Sequence, residues 1–245
     1  MSNLLILGHR GASSLAPENT LPAFNLAAHS GAQIELDVQL SKDGQVVVIH
    51  DERLERTTNG KGFVGNHTLA ELKQLDAGSW FSEKYAGTSI PTLDEVFTTL
   101  PNKVSINIEL KTNFIPYTGI EQKVIESVKR HKAMSRVLIS SFNWESLTIA
   151  HRLEAKLKLG LLFDNIQPQL WSKARLLNVY SIHPLATLLS PDLVWQSHSW
   201  GYHVLPWVVN SRKRMLKLKS MGVDGFFTDC PQIFSKFEAS DATSF

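Results

Sequence analysis

Eight short apolar runs recur along the 245 residues of this chain, and segments with the apolar spacing of helices separate them. The runs begin at Leu4, Gln33, Val104, Val137, Gly160, Val179, His203 and Gly225. Strand–helix alternation through eight units is typical of a parallel sheet closed into a (β/α)8 barrel. An open doubly wound sheet is the alternative, but the chain lacks the glycine-rich dinucleotide fingerprint of that fold. We therefore predict a TIM barrel, with residues 1–245 forming one domain.

The regular alternation is interrupted between the second and third of these runs. The intervening residues include a polar stretch at 56–62 and a short helical pattern over Leu69–Leu75, with Thr68 placed to cap it. A further helical pattern begins after Thr92. A connection this long is usually functional or carries a small fold of its own. We predict an insertion subdomain over about residues 52–103, beside the C-terminal ends of the strands.

Composition excludes several classes of protein. Lysine and arginine number 25 against 23 acidic residues, so the charge gives no indication of nucleic-acid binding. The single cysteine, Cys230, cannot form an internal disulfide, which favours a reducing compartment. The apolar run Leu4–Leu7 is too short for a signal peptide or a membrane span. We expect a cytoplasmic protein without stable membrane insertion, and the sequence does not indicate an oligomeric state.

The run that begins at Gln33 carries two carboxylates among alternating apolar residues. Successive strand side chains point to opposite faces, so Glu35 and Asp37 share one face. Two like charges at this separation disfavour ionisation, and such pairs are solvated, protonated or bound to a metal. From the spacing alone, a solvated polar face on an edge strand is the simpler interpretation. A tight turn at Asp43–Gly44 and a short β-branched strand then deliver His50 to its own strand end.

Other polar or aromatic side chains also fall at the C-terminal ends of predicted strands, where a TIM barrel places its active site. They are His9, Arg10, Glu109, Lys111, Ser140, Ser141, His183 and Trp207. Each has a structural explanation when taken alone: a strand-end histidine is more often structural than catalytic, and Glu109 with Lys111 could be a simple ion pair. Taken together with the carboxylates, they predict a convergent active site.

The charges of this set indicate a metal and an anionic substrate. Glu35, Asp37 and Glu109 bring three negative charges, and Arg10 and Lys111 bring two positive charges. A divalent cation would relieve the repulsion among the carboxylates and leave about one positive charge, which an anionic phosphodiester would neutralise. Because all the ligands are oxygens, one Mg²⁺ or Ca²⁺ is favoured over zinc.

The chain resembles the glycerophosphodiester phosphodiesterase family through motifs that lie in order from Leu4 to about Phe234. They are His-Arg-Gly at 9–11, Pro-Glu-Asn-Thr at 17–20, Glu-Leu-Asp at 35–37, Lys-Asp-Gly at 42–44, His50-Asp51, Arg-Thr-Thr-Asn-Gly at 56–60, Glu-Leu-Lys at 109–111, Trp-Val-Val-Asn at 207–210, Gly-Val-Asp-Gly at 222–225 and Thr228-Asp229. One departure is Val208, where the family often has threonine.

This resemblance implies a barrel with a small insertion after His50. It also implies roles for the strand-end residues: metal ligands at Glu35, Asp37 and Glu109, a catalytic pair at His9 and His50, phosphate binding by Arg10 and Lys111, and a glycerol-side wall at Trp207. The activity that it implies is hydrolysis of glycerophosphodiesters to sn-glycerol 3-phosphate and an alcohol.

Two histidines suit this reaction, because the nucleophile must lose a proton and the leaving alkoxide must gain one. We expect His9 to act as the base and His50 as the acid. Direct attack by water and attack by a glycerol hydroxyl to give a cyclic phosphate both stay open. No charged residue could be assigned to a choline or ethanolamine head, so we expect water-soluble diesters with varied alcohols to react.

Two other functions stay open at this point. The first is a phospholipase-type phosphodiesterase that acts on lipids, for which Trp80-Phe81 in the insertion is the segment of interest. The second is a non-enzymatic phosphate- or sugar-binding barrel, which the presence of both histidines and all three carboxylates disfavours.

Overall fold

A computed structural model describes residues 4–234 and shows one sheet of nine strands. Eight of the strands run parallel to their neighbours, in the order β8-β7-β6-β5-β4-β2-β1-β9, while β3 pairs antiparallel with β2 alone. The strands are β1 (Leu5–Gly8), β2 (Gln33–Leu40), β3 (Val46–Val48), β4 (Ile106–Leu110), β5 (Val137–Ser141), β6 (Lys158–Phe163), β7 (Ser181–Pro184), β8 (His203–Val204) and β9 (Gly225–Thr228).

The sheet closes on itself between the segment of β8 and β9. Backbone N–H groups donate from Asp224 to the Val204 carbonyl (3.1 Å), from Phe227 to the Pro206 carbonyl (3.0 Å) and from Val209 to the Phe227 carbonyl (2.8 Å). The predicted TIM barrel is therefore confirmed. From the sequence, the run that begins at His203 is predicted to be a strand over 203–209. This length is wrong, because Pro206 has no N–H to donate and regular pairing ends after Val204.

Helices alternate with the parallel strands and cover the outside of the barrel. They are α1 (Leu21–His29), α2 (Leu69–Leu72), α3 (Leu93–Thr99), α4 (Ile120–Arg130), α5 (Trp144–Leu153), α6 (Leu170–Leu176), α7 (Pro191–Ser199) and α8 (Arg212–Ser220). Thr68 and Thr92 each form a capping box with a glutamate three residues later, as their spacing predicts. None of the helices within residues 4–234 combines the length and apolar character that crossing a bilayer would require.

From the sequence, Asn210 is the predicted N-cap of α8, and the structure differs. Ser211, and not Asn210, is the cap, because the Ser211 hydroxyl accepts a hydrogen bond from the Arg214 backbone N–H at 3.3 Å. The Asn210 side chain instead contacts Thr228 and Asp229 at the end of β9. A residue expected to serve a helix therefore fixes part of the strand-end rim.

The segment after β3 has a small hydrophobic core of its own, separate from the main core between sheet and helices. Its buried members are Val47, Ile49, Leu54, Val64, Leu72, Ala77 and Ile90. Leu93, Val96 and Phe97 of α3 belong to the main core, so α3 packs as a barrel helix. The Tyr85 hydroxyl donates to the Leu15 carbonyl (2.9 Å), which ties the added segment to the loop after β1. It therefore lies beside the strand-end rim.

Candidate active site

Strands β2 and β4 place three carboxylates together. Their register sets Glu35 opposite Asn107 and Asp37 opposite Glu109, so alternate residues of both strands face the barrel interior. One oxygen from each of Glu35, Asp37 and Glu109 lies within 4.8 Å of the other two, and all three residues are buried. The solvated edge-strand interpretation of the pair on β2 is therefore wrong.

The pKa values of the three carboxylates diverge. Burial raises the pKa of Glu35 well above its usual range, and the charges of Asp37 and Glu109 raise it further. Burial also raises the pKa of Glu109, although Lys111 opposes this. At Asp37 burial is outweighed by His50, Arg10 and Lys111, and the net pKa is lowered. Such a cluster of hard oxygen donors fits a divalent cation, whose charge would offset the repulsion among the three carboxylates.

The loop after β1 folds back onto this cluster. The Arg10 backbone N–H donates to Glu35 Oε2 (2.7 Å), and the Arg10 guanidinium donates to Glu18 Oε1 (2.8 Å) with its Nε 3.4 Å from Asp37 Oδ2. The Asn19 amide donates to Asp37 Oδ2 (2.8 Å), and its oxygen accepts from the Asp37 backbone N–H (3.2 Å). These bonds fix the carboxylates from two directions.

His9 is anchored by a carboxylate on the last strand. Its Nδ1 lies 2.7 Å from Asp229 Oδ1, and Asp229 also accepts hydrogen bonds from Ser13 Oγ and Asn210 Nδ2. Burial would raise the pKa of Asp229, but the hydrogen bond with His9 outweighs this effect and the pKa lies below its ordinary value. The ionised carboxylate selects the tautomer with the proton on Nδ1, which leaves Nε2 available for proton transfer.

His50 has a parallel arrangement. Its Nδ1 lies 2.6 Å from Asp51 Oδ1, and Arg56 donates to the same carboxylate from Nε (2.5 Å) and Nη2 (2.9 Å). These Arg56 bonds, followed by the bond with His50, lower the pKa of Asp51 to about 2. His50 Nε2 lies 3.1 Å from Lys111 Nζ. Because an ammonium group only donates, His50 Nε2 is the acceptor in this contact.

Lys111 links the second histidine to the carboxylates. Its Nζ donates to Glu109 Oε1 (2.8 Å) and lies 3.7 Å from Asp37 Oδ1. Burial would lower the pKa of Lys111, but Glu109 and Asp37 raise it above its ordinary value. The ammonium group therefore stays charged inside the pocket.

The backbone that carries His50 is fixed by Gln39, the next inward-facing residue of β2 after Asp37. Gln39 Nε2 lies 3.1, 2.9 and 2.7 Å from the carbonyl oxygens of Ile49, His50 and Asp51. The Tyr117 hydroxyl donates to Gln39 Oε1 (2.7 Å), which sets the orientation of the amide. The position of His50 thus depends on a buried side chain eleven residues earlier.

These groups line one side of a pocket of about 290 Å³ at the strand-end rim. The other side is mostly apolar and contains Phe114, Phe142, Leu162, Trp207 and Phe227, together with Asn113 and Asp164. The rings of Trp207 and Phe142 meet edge to face at 5.5 Å, and Trp207 Nε1 donates to the His183 carbonyl (2.9 Å). Charged and apolar halves of one cavity suit a small ligand with an anionic group and a carbon backbone.

The structure brings together all eight residues that were predicted to bind the metal, to bind the substrate or to transfer protons. His9, Arg10, Glu35, His50, Glu109, Lys111 and Trp207 line the pocket, and Asp37 lies within the carboxylate cluster behind it. Inclusion of Ser140, Ser141 and His183 in the rim is wrong, because all three are fully buried and none lines the pocket. His183 packs against Phe227 inside the barrel, where burial lowers its pKa to about 3.

Sequence reasoning missed the residues that orient these groups. In the sequence Asp229 stands out only as part of a motif, yet the first and last strands of a closed barrel are neighbours, which points to His9 as its partner. Asp51 directly follows His50 in the sequence. Asn107 lies two residues before Glu109 and so faces the same way; its amide donates to Ser140 Oγ (2.9 Å). Asp164 directly follows β6, and this strand-end position is the signal that points to the rim.

Comparison with known proteins gives matches across nearly the whole chain. Residues 9–233 match the model described as the glycerophosphoryl diester phosphodiesterase family. The glycerophosphodiester phosphodiesterases of Caldanaerobacter subterraneus subsp. tengcongensis and Bacillus altitudinis are 46% and 42% identical to this chain. The first alignment covers 93% of this chain and 95% of the relative, and the second covers 92% and 94%.

Solved structures agree with these matches. An Oleispira antarctica phosphodiesterase, solved in complex with its product sn-glycerol-3-phosphate, superposes with a TM-score of 0.89 at 35% identity over 96% of each chain. The glycerophosphodiester phosphodiesterase of Agrobacterium tumefaciens superposes with a TM-score of 0.85 at 30% identity, over 96% of this chain and all of that one.

Proposed function

Because this chain belongs to the glycerophosphoryl diester phosphodiesterase family, we propose that it hydrolyses glycerophosphodiesters to sn-glycerol 3-phosphate and an alcohol, with a divalent cation and two histidines. One observation carries the proposal: a buried carboxylate cluster lies in the same pocket as two histidines, each anchored to a carboxylate through Nδ1. A barrel that only bound phosphate would have no need for two oriented proton-transfer groups.

Glu35, Asp37 and Glu109 would hold the cation, either Mg²⁺ or Ca²⁺, since all three offer hard oxygen donors. When bound, the cation supplies positive charge that stabilises the non-bridging oxygens of the phosphate. Arg10 and Lys111 bind those oxygens from the protein side. Their two positive charges, together with the two of the cation and the three carboxylates, leave one positive charge to match a phosphodiester.

His9 acts as the base and His50 as the acid. Asp229 keeps the His9 proton on Nδ1, so Nε2 takes a proton from the attacking oxygen. Lys111 turns from His50 Nε2 toward the substrate phosphate, the freed Nε2 takes up a proton from water, and the resulting imidazolium passes that proton to the departing alkoxide. Asp51 stabilises the protonated His50 ring. Trp207 packs against the glycerol carbons.

The test couples product release to glycerol-3-phosphate dehydrogenase. Glycerophosphocholine and glycerophosphoethanolamine are compared with phosphatidylcholine vesicles and bis-p-nitrophenyl phosphate, before and after dialysis against EDTA with Mg²⁺ or Ca²⁺ restored. We expect rapid, cation-dependent cleavage of the two deacylated diesters. Full turnover in excess EDTA would refute the cation's role.

A lipid substrate is the second candidate, because Phe114 at the pocket rim is 77% exposed and could meet an acyl chain. A pocket of about 290 Å³ leaves little room for two acyl chains. Faster cleavage of the vesicles than of the deacylated diesters would establish the lipid substrate instead. The proposal also places the enzyme in the cytoplasm, which its single cysteine, Cys230, favours; cell fractionation tests this.

A further inference from the structure

Asp164 is a charged residue of the pocket that the proposed reaction does not use. It follows β6, directly after Phe163, and its side chain is exposed toward the pocket that it lines. Asn165 Nδ2 donates to its Oδ1 (2.8 Å). None of the ion pairs formed within residues 4–234 includes this carboxylate. An anionic group therefore stands at the mouth of a pocket that is built to receive an anionic phosphate.

The neighbours of Asp164 at the rim are aromatic. Phe114 follows β4, Phe142 follows β5 and Asp164 follows β6, and these three strands are adjacent in the barrel. Because all three residues line the pocket and follow adjacent strands, they lie in the same sector of its wall. Aromatic faces attract alkylated and primary ammonium groups, and an adjacent carboxylate strengthens the attraction. An aromatic sector with one carboxylate is suited to a cation and unsuited to a second phosphate.

The charges of the pocket separate into two groups. The other charged side chains that line it, with Asp37 behind them, belong to the catalytic cluster on β1, β2, β4 and the segment after β3. With a divalent cation, that cluster carries one net positive charge, which matches the single negative charge of a phosphodiester. The negative charge of Asp164 is not balanced by this cluster or by the phosphate of the substrate. A substrate that carries one phosphate and one ammonium group matches both parts of the pocket.

We propose that Asp164, Phe114 and Phe142 form a subsite for the ammonium group of the leaving alcohol, so that the enzyme prefers glycerophosphodiesters of amino alcohols such as choline and ethanolamine. The inference rests on the proposed function and names the part of the substrate that the catalytic cluster does not contact. Trp207 stays on the glycerol side, and its edge-to-face contact with Phe142 marks the border between the two halves of the substrate.

The experiment separates this role from contact between Asp164 and the glycerol hydroxyls. Asp164→Asn keeps the size and hydrogen-bonding capacity of the side chain but removes its charge. Steady-state kinetics are measured for glycerophosphocholine and for glycerophosphoglycerol, whose leaving alcohol is uncharged. We expect kcat/KM for glycerophosphocholine to fall about tenfold, mainly through KM, while the value for glycerophosphoglycerol changes less than about twofold.

Two further measurements sharpen the result. Phe114→Leu keeps an apolar side chain but removes the aromatic face, and it should reduce the preference for glycerophosphocholine by about threefold. Added salt should raise KM for glycerophosphocholine in the wild type more than in Asp164→Asn, because the ammonium–carboxylate attraction is screened. Glu126→Gln is the matched control, since it removes one exposed carboxylate from helix α4.

The outcomes distinguish the subsite from the proposed function. An equal fall for both substrates would assign Asp164 to the glycerol half and overturn the subsite. No change for either substrate, or a wild type without preference for the amino alcohol, would overturn it as well, while hydrolysis itself would keep the proposed function intact. A wild type that cleaves neither diester would overturn both proposals.

Discussion

Replacement of Glu35 by glutamine should stabilise the cation-free protein while it destroys the cation site. One oxygen of Glu35 lies within 4.8 Å of an oxygen of Asp37 and of one of Glu109. At an effective dielectric constant of about 20, each like-charge pair at this separation is unfavourable by about 3 kcal/mol. Arg10 and Lys111 offset part of this repulsion, and protonation offsets more. We therefore expect Glu35→Gln to raise the free energy of unfolding by about 1–3 kcal/mol at pH 8 in EDTA.

The stability that Glu35→Gln gains over the wild type should depend on pH, and the raised pKa of Glu35 sets the direction of this dependence. Below the ordinary glutamate pKa of 4.5 the side chain is protonated in both folded and unfolded chains, and it contributes no difference. As the pH rises from there toward the higher folded-state pKa, the unfolded chain releases its proton first, so the wild type loses stability. Glutamine does not titrate. The difference between variant and wild type should be small near pH 5 and largest at pH 8.

In the presence of the cation, the wild type should become more stable than Glu35→Gln. Binding to the folded state alone adds about 2.7 kcal/mol of stability when the free cation is about 100 times its dissociation constant. The wild type should show this gain with Mg²⁺ or Ca²⁺, and Glu35→Gln should lose most of it. Urea denaturation measures the free energy of unfolding of both proteins at pH 5 and pH 8, in EDTA and in excess cation, with Glu126→Gln as the control. A variant no more stable than the wild type in EDTA at pH 8, or one that gains equally from the cation, would refute the reasoning.

Four further substitutions test the proposed proton-transfer groups and the residues that support them. His9→Ala and His50→Ala should each lower kcat by roughly 10²–10⁴ with an unchanged fold. The double variant should lose much less activity than the product of the two single losses, because the two histidines act as a unit. Steady-state kinetics and circular dichroism measure these effects, and near-wild-type turnover in either single variant would contradict the assignment. Asp229→Asn should lower kcat by about 100-fold with KM within about threefold, since it only orients His9; a change confined to KM would speak against that role. Gln39→Ala should lower kcat by about tenfold through misplacement of His50, and unchanged kinetics beside a lowered melting temperature would make Gln39 purely structural.

The barrel was predictable because its signal is repeated and local. Each parallel strand is buried on both faces or alternates in polarity, and each helix repeats the same amphipathic spacing, so errors in one unit do not change the fold class. Errors arose where one backbone group overrides the pattern. Pro206 ends the regular pairing of β8 within an apolar run that reads as a longer strand. Asn210 and Ser211 are both good helix caps, and only tertiary contacts with the end of β9 decide between them.

Within the site, the identity of the residues was predictable from the sequence, but their position along each strand, in the pocket wall or in the barrel interior, was not. A strand end read from sequence is uncertain by about two residues, and two residues along a strand correspond to about 6.6 Å. That distance separates a pocket wall from the barrel interior. His183 and Ser140 fall on the interior side of this boundary, and Trp207 falls on the pocket side. The contact between His9 and Asp229 spans 220 positions and follows from closure of the barrel, which no local pattern contains.

Strand β2 shows why the fold and the site cannot be altered independently. All eight of its residues are buried. One face carries the apolar residues that join the main core, namely Ile34, Leu36, Val38 and Leu40. The other face carries four polar residues, each with a hydrogen-bonded partner: Gln33 with Ser105, Glu35 with Arg10, Asp37 with Asn19 and Gln39 with the backbone at His50. A shift of β2 by one residue would bury all four polar side chains against the helices without partners, at a few kcal/mol each. The alternation that sets the register of β2 therefore also delivers two of the proposed cation ligands and the support of His50 to the pocket.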